Sequence, residues 1–238
     1  MNTRLVTPAP APAISATRYE FKAVADSFRL PEARMWLRLH PACFFKVYPE
    51  RQVNSVYFDT LDLDSFAENL AGISARRKVR LRWYGRSHQN VAGVFEVKSK
   101  RNRLGWKQSQ RIGQPLDIDG SSWHDLLHLL RRELSPQLRL FLTEDQIPAV
   151  LISYQREYYQ SFDGSTRVTL DHGLVAYGQR QYDRPNLRFP VPMADEIVIE
   201  FKATAFNGDA VSSVIDSVPF RVSARSKYAE GISSTLGY

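Results

Sequence analysis

Five segments of this chain alternate charged and apolar side chains with a period of two. They read RYEFK (18–22), KVRLRW (78–83), FEVK (95–98), RVTLD (167–171) and IEFK (199–202). Because residues i and i+2 of a β-strand point to the same side of a sheet, each segment has one charged face and one apolar face. A single such strand is explained by a sheet with one face in water. Five of them favour a sheet that closes, with its charged faces inside and its apolar faces packed beneath helices.

The same periodicities predict the secondary structure of the rest of the chain. Alternation with a period of two predicts strands at 18–24, 53–59, 78–84, 94–100, 105–111, 150–159, 166–170 and 196–203. Helical periodicity predicts helices at 31–40, 63–70, 122–134 and 209–218. Many strands with helices between them indicate an α+β fold around an antiparallel sheet or barrel. Residues 1–17, rich in Ala and Pro, are predicted to form a disordered leader, and 18–238 a single domain.

The basic residues are concentrated in one part of the chain. The protein carries 32 Lys and Arg against 25 acids, a net charge of +7. The segment 76–111 holds twelve Lys and Arg and one acid, Glu96, which gives it a charge of +11 (12 − 1). Such a local field implies an anionic partner, namely phosphate, nucleic acid or an acidic lipid surface; the alternative is a solvated basic face.

A few individual residues narrow the choice of partner. Glu20, Glu96 and Glu200 each precede a Lys by two residues and therefore share its strand face. A nucleic-acid groove has no use for carboxylates among its cations, whereas a Mg²⁺ or Mn²⁺ ion that bridges phosphate oxygens requires them. Glu20 and Glu96 are equally well explained as salt-bridge partners of buried Lys. Tyr84 and Trp106 are candidates for stacking on a nucleobase at the mouth of a tunnel.

Cysteine content and hydropathy bear on the compartment. Cys43 is the single cysteine, so no intrachain disulfide can form and nothing points to an oxidising environment. The sequence has no run of about 20 apolar residues that would span a bilayer, and no secretory signal. We therefore expect a cytoplasmic protein without a transmembrane segment.

Eight segments, taken in order, resemble one known family. They are RYEFK (18–22), VNSVYFDT (53–60), RRKVRLRWYG (76–85), FEVKSK (95–100), SYQREYY (153–159), RVTLD (167–171), VIEFK (198–202) and SKYAEG (226–231). Together they resemble the vacuolar transporter chaperone (VTC) domain, which belongs to the CYTH-like triphosphate tunnel metalloenzymes. The resemblance implies an antiparallel β-barrel tunnel flanked by helices. It also implies polyphosphate synthesis from the γ-phosphate of ATP, with Mn²⁺ or Mg²⁺ as cofactor.

The resemblance also assigns roles to individual residues. It implies phosphate binding by Lys22, Arg80, Arg82, Lys98, Arg156, Arg167 and Lys227, and less directly by Lys107 and Lys202. The catalytic set is Arg80, Arg82, Lys98, Glu200 and Lys227. Glu200 matches the acid that holds the divalent metal in the family, whereas Glu20 and Glu96 are metal candidates because of their strand faces.

One position departs from the wider superfamily. The related hydrolases and cyclases begin with Glu-x-Glu-x-Lys, and Arg18 replaces the first Glu here. This loss of a carboxylate favours the VTC branch, with ATP and inorganic polyphosphate or triphosphate as partners rather than nucleic acid. Two alternatives stay open: an inorganic or nucleotide triphosphatase of the same fold, and a non-catalytic module that binds polyphosphate or another polyanion.

Overall fold

A computed structural model describes residues 18–102, 104–204, 214 and 216–237. Its main element is an antiparallel sheet of ten strands. These are β1 (Arg18–Asp26), β2 (Phe45–Asp59), β3 (Arg76–Tyr84), β4 (Val94–Arg101), β5 (Leu104–Arg111), β6 (Ile147–Gln160), β7 (Thr166–Gly178), β8 (Val191–Pro192), β9 (Glu196–Thr204) and β10 (Arg221–Val222). The described helices are α1 (Leu30–Leu39), α2 (Asp64–Leu70), α3 (Trp123–Glu133), α4 (Pro136–Arg139) and α5 (Lys227–Leu236). None of them has both the length and the apolar content of a membrane span.

The strands follow an order that brings the charged segments side by side. Neighbours in the sheet run β10-β1-β9-β7-β6-β2-β3-β4-β5, and β8 pairs with β7. The register places Lys22 opposite Glu200 on β9 and Arg80 opposite Glu96 on β4. The charged faces of the separate strands therefore merge into one charged side of the sheet.

This sheet curls around its charged side. The ammonium Nζ of Lys98 on β4 lies 3.3 Å from Oε1 of Glu20 on β1, although these strands are six positions apart in the sheet. In a flat sheet the same six spacings would measure about 29 Å. The charged faces of distant strands thus lie opposite one another across a trough. We call this side of the sheet, which carries Lys22, Arg80, Lys98, Arg156 and Glu200, the charged trough. Among the described residues no backbone pairing joins the edge strands β5 and β10, so the predicted closed barrel is not confirmed.

The apolar side of the sheet is covered by helices. Leu37 of α1 packs in one buried cluster with Ile199 of β9. Leu130 of α3 packs in another with Leu81 and Phe95, from the charge-rich strands β3 and β4. Burial of these side chains follows from the alternation of charged and apolar residues along each strand, because it places the apolar residues on one face, and packing against the helices removes that face from water.

Helix α5 is different, because it lies on the trough side and fills one end of the trough. Its Gly231 approaches Ile152, which shares a face of β6 with Arg156. A Cβ atom at position 231 would lie 2.7 Å from Cδ1 of Ile152, so a larger residue there would require the buried Ile152 side chain to shift. The hydroxyl of Tyr228 donates a hydrogen bond to Asp59, which also accepts backbone N–H groups at the start of α2. These contacts hold the N-terminus of α5 in the trough.

The eight predicted strands are all present, and β2 and β7 are longer than predicted. The first eight residues of β2 are mostly exposed and contain register shifts on both sides of Tyr48, which removes the apolar alternation that would have revealed them. Three predicted helices are present as α1, α2 and α3. The fourth, at 209–218, lies mostly outside the described residues, as does the predicted leader at 1–17. The short strands β8 and β10 and the helices α4 and α5 were not predicted.

Candidate functional site

The strand register and helix α5 bring the predicted site residues together. The charged trough contains Glu20, Lys22, Arg80, Arg82, Glu96, Lys98, Lys107, Arg156, Glu200, Lys202 and Lys227. Arg167 pairs with Lys202 across β7 and β9, but its side chain is exposed near the end of the strand. Within the part of the chain that the structure describes, no carboxylate lies within ion-pair distance of Arg167.

Glu96 is surrounded by cations. Its Oε2 accepts a hydrogen bond from Nε of Arg80 at 2.7 Å, and its Oε1 accepts one from Nζ of Lys107 at 2.6 Å. The guanidinium of Arg82 lies 3.6 Å away. Burial alone would raise the pKa of Glu96, but these cations outweigh it and lower the pKa to about 2. Both oxygens of Glu96 are therefore engaged as counter-ions, and its predicted metal role stays a prediction.

Asp171 organises a second group of cations. This fully buried carboxylate receives two hydrogen bonds from Arg156, at 2.5 and 2.7 Å, and one from Nζ of Lys227 at 2.8 Å. Burial favours the neutral acid, but Arg156 and Lys227 hold the pKa of Asp171 below its usual range. Asp171 thus fixes the directions of both cations. The sequence placed it on the charged face of β7 without giving it a role.

Glu200 lies between cations and a second carboxyl group. Nζ of Lys202 is 3.0 Å from Oε1, and the guanidinium of Arg156 is 3.7 Å from Oε2. The carboxyl of Glu20, on the neighbouring strand, adjoins that of Glu200 on the same face. Burial would raise the pKa of Glu200, but Lys202, Lys22 and Arg156 hold it well below its usual range.

The contact between Glu20 and Glu200 provides a test of whether a divalent metal fits the trough. Two carboxyl groups in contact repel one another unless a proton or a cation lies between them. Carboxylate and phosphate oxygens are the ligands that Mg²⁺ and Mn²⁺ prefer. The pair formed by Glu20 and Glu200 is therefore a suitable donor set for a divalent ion, with remaining positions for a phosphate ligand.

The N-terminus of α5 adds polar groups that the sequence did not reveal. The hydroxyl of Ser226 caps the helix by accepting the N–H of Ala229, and it also accepts a hydrogen bond from Nζ of Lys78 at 2.7 Å. Burial, together with the charges of Lys22 and Lys98, lowers the pKa of Lys78 to about 7. Lys78 shared the predicted charged face of β3, but its contact with Ser226 spans 148 residues and leaves no local signal.

A separate group with metal-binding donor atoms lies on the opposite face of the sheet. Donor atoms of Glu50, Glu157 and His172 all lie within 4.8 Å of one another. Glu157 alternates with Arg156 along β6 and therefore points away from the charged trough. Its oxygens already accept hydrogen bonds from Arg34 at 2.6 Å and contact Lys46 at 2.7 Å. These cations compete with any metal for the same carboxylate.

Comparisons with known proteins give a family match and a solved structure with a similar fold. A family model described as the VTC domain matches residues 17–236. The solved structure of a protein from Pyrococcus horikoshii OT3 aligns with a TM-score of 0.51 at 13% identity, covering 90% of this chain and 97% of that chain. The search of curated proteins found no match.

Two further solved structures align with TM-scores below 0.5. One is the Mediator head module of Schizosaccharomyces pombe, with a TM-score of 0.47 and 11% identity over 86% of this chain and 96% of that chain. The other is a Vibrio parahaemolyticus protein proposed to be an adenylate cyclase, with a TM-score of 0.42 and 12% identity over 84% of this chain and 82% of that chain.

Proposed function

This chain belongs to the VTC domain family, and we propose that it transfers the γ-phosphate of ATP to a polyphosphate chain held in the charged trough. The observation that supports this proposal most is the excess of positive charge there. Cations outnumber carboxylates among the charged side chains that meet there. The cations include Lys22, Lys78, Arg80, Arg82, Lys98, Lys107, Arg156, Lys202 and Lys227, and the acids include Glu20, Glu96, Asp171 and Glu200.

Three of the cations are held in place by carboxylates before a phosphate ligand binds. Arg80 and Arg156 are each held by a carboxylate on the adjacent strand, so their guanidinium groups are oriented before a ligand arrives. Pre-oriented donors cost little reorganisation when negative charge develops on the transferred phosphoryl group. Lys227, only 12% exposed and fixed by Asp171, supplies a third such donor beside the start of α5. These residues position and neutralise the triphosphate rather than react with it.

Glu200, together with Glu20, would hold the divalent ion. An ion held there would supply positive charge that offsets the charge of the phosphate oxygens during transfer. Lys202 and Arg156 already touch Glu200 and would remain close to the same phosphate oxygens. Glu96 and Asp171 accept hydrogen bonds from the cations that they orient, whereas Glu200 adjoins a second carboxyl, that of Glu20, and would hold the metal.

The activity test is direct. Purified protein is incubated with ATP and Mn²⁺, and the products are resolved by gel electrophoresis with and without a polyphosphate-degrading enzyme. Long polymers that this enzyme removes are the expected result, and a reaction with a chelator serves as the blank. Release of inorganic phosphate without polymer would assign the alternative triphosphatase activity. Binding of triphosphate without turnover would assign a binding module instead.

A prediction about the ligand separates polyphosphate from nucleic acid. Tripolyphosphate should raise the melting temperature at about 200 mM salt, because buried bidentate contacts are screened less than exposed ones. This concentration is about the upper end of the range over which nucleic-acid binding weakens steeply. A single-stranded oligonucleotide of equal phosphate concentration should not, since its bases and sugars do not fit between the facing strands. An oligonucleotide that displaces bound tripolyphosphate would contradict the proposed ligand.

The environment of Lys78 leads to a prediction about protons. With a pKa of about 7, Lys78 is mostly neutral at pH 8. A polyanion beside it stabilises the charged form and raises the pKa, so binding should take up close to one proton at pH 8, and affinity should fall as pH rises above 7. The groups around Lys78 are Lys22 across the trough, Lys98 opposite it on the neighbouring strand β4, Arg76 and Arg80 on the same strand, and Ser226; none of them is an acid.

Calorimetry in two buffers of different ionisation enthalpy measures this uptake. The comparison is between wild type and Lys78→Met, because protons carried by tripolyphosphate itself cancel in the difference. An identical proton count for both proteins would show that Lys78 does not change its protonation on binding.

A further inference from the structure

Four side chains form a cluster at the end of the trough away from α5. The guanidinium of Arg51 lies over the rings of Tyr48, Tyr84 and Tyr158, at 5.2, 5.1 and 4.8 Å from their centroids. Tyr158 is six residues beyond Ile152, the residue that contacts α5, and this separation corresponds to about 20 Å along β6. These four residues are called the mouth cluster below.

The mouth cluster is continuous with the charged trough. Arg51 pairs with Arg156 across β2 and β6, and Tyr158 shares the trough face of β6 with Arg156. Tyr84 ends β3 on the face that carries Arg80. A ligand whose phosphates contact Arg156 therefore has its next groups beside these rings.

The chemistry of the cluster differs from that of the trough. Tyr48 and Tyr84 are 56% and 43% exposed, so large aromatic surfaces remain open to a ligand. Arg51 has no carboxylate within ion-pair distance among the residues that the structure describes, and it is held by the rings instead. A path for inorganic phosphate alone would be lined by further Lys and Arg, whereas aromatic faces beside a planar cation are what a nucleobase stacks upon.

Two hydroxyl groups belong to the strand pairs that connect the cluster with Glu200. Tyr158 and Thr169 pair across β6 and β7, and Thr169 pairs in turn with Glu200. Among the described residues, neither the hydroxyl of Tyr158 nor that of Thr169 has a hydrogen-bond partner, although both are buried. Buried hydroxyls without partners are costly, and the hydroxyls of a ribose or an oxygen of its α-phosphate would supply partners for them.

We propose that the mouth cluster binds the base and ribose of the nucleotide whose triphosphate lies in the charged trough. This inference rests on the function proposed above and adds to it a site for the nucleoside. It follows that the protein discriminates between a nucleoside triphosphate and inorganic triphosphate through contacts with Tyr48, Arg51, Tyr84 and Tyr158. Trp106, the other candidate for stacking, alternates with Lys107 on β5 and faces away from the trough.

The test compares two ligands and five proteins. Calorimetry measures the binding of tripolyphosphate and of the non-hydrolysable β,γ-imido analogue of ATP to wild type, Tyr48→Ala, Tyr84→Ala and Trp106→Ala. Loss of one stacked ring should weaken the analogue by roughly tenfold and leave tripolyphosphate within about twofold of wild type. Trp106→Ala removes an equally exposed aromatic side chain, 50% exposed, from the opposite face and should change neither ligand. Tyr84→Phe, which retains the ring, should restore most of the affinity.

The possible failures are distinguishable. Equal losses for both ligands in the tyrosine variants, or no loss for either, would overturn the nucleoside site. If wild type binds tripolyphosphate, but Tyr84→Ala binds the analogue as tightly as wild type does, the nucleoside site is overturned. The proposed phosphate-binding trough is then unaffected. A wild type that binds neither ligand would overturn both proposals.

Discussion

Replacing Arg80 by alanine is expected to lower kcat/KM for ATP by about 10²- to 10³-fold. The guanidinium is fixed by Glu96 and by the hydroxyl of Tyr57, at 2.7 and 3.1 Å, so it is a pre-oriented donor on the floor of the trough. Its loss removes one positive charge from the phosphate path. It also leaves Oε2 of the buried Glu96 without its hydrogen-bonded cation, so that Glu96 is less fully neutralised beside the substrate, although Lys107 still binds Oε1. Both effects act in the same direction, which is why the expected loss is large.

Arg77→Ala is the matched control for this variant. Arg77 is on the same strand and carries the same charge, but it alternates with Lys78 and therefore faces away from the trough, over the ring of Phe141 at 5.4 Å. Its removal changes the net charge equally and should change kcat/KM by less than about twofold. Steady-state rates of ATP consumption for the two variants provide the comparison. Equal, mild losses at Arg77 and Arg80 would indicate a diffuse basic surface rather than an oriented site.

The strand faces of this protein could be predicted because the signal that sets them is local. Lys78, Arg80 and Arg82 alternate with Val79, Leu81 and Trp83, and only one arrangement buries the second set while it gathers the first. The same reasoning placed Lys98 and Glu200 on the charged side. The merging of these faces into one trough then required only that the strands lie side by side.

The part of the site formed by α5 could not be predicted in this way. The segment KYAEGISSTL has small residues where an amphipathic helix would have a broad apolar stripe, because the helix packs closely against the inside of the trough. Its position depends on the approach of Gly231 to Ile152 and on the hydrogen bond of Tyr228 to Asp59, across 169 residues of sequence. Lys227 therefore entered the predicted site through the resemblance alone.

The sequence also left open whether Glu20 and Glu96 are metal ligands or counter-ions, since both roles place a carboxylate two residues from a Lys. Long-range pairing separates the two acids. Glu96 has cations on both of its oxygens, whereas Glu20 contacts Lys98 at 3.3 Å and the carboxyl of Glu200. Spacing along a strand cannot distinguish these environments, because the partners come from other strands.

Glu200→Gln is expected to abolish divalent-dependent turnover and leave the fold intact. The amide has nearly the same volume as the carboxylate, so the packing of this largely buried side chain is preserved, but the amide cannot supply the charge that holds a divalent ion. Circular dichroism should show a native spectrum, with a melting temperature lowered because the ion pairs of Glu200 with Lys202 and Arg156 are lost. The same loss of charge makes the trough more positive, and tripolyphosphate measured without metal should bind at least as tightly as it does to wild type.

Titration with Mn²⁺ separates a metal ligand from a counter-ion. In Glu200→Gln any residual turnover should require at least about tenfold more Mn²⁺ for half-maximal rate, because one of two carboxylates that face the ion is lost. Glu96→Gln serves as the control. It disturbs Arg80 and lowers the rate, but it should leave the half-maximal Mn²⁺ concentration unchanged, since both oxygens of Glu96 already accept hydrogen bonds from cations. A Glu200→Gln variant with the wild-type rate and the wild-type Mn²⁺ dependence would reduce Glu200 to a salt-bridge partner of Lys202 and Arg156, and the metal would then have to lie elsewhere.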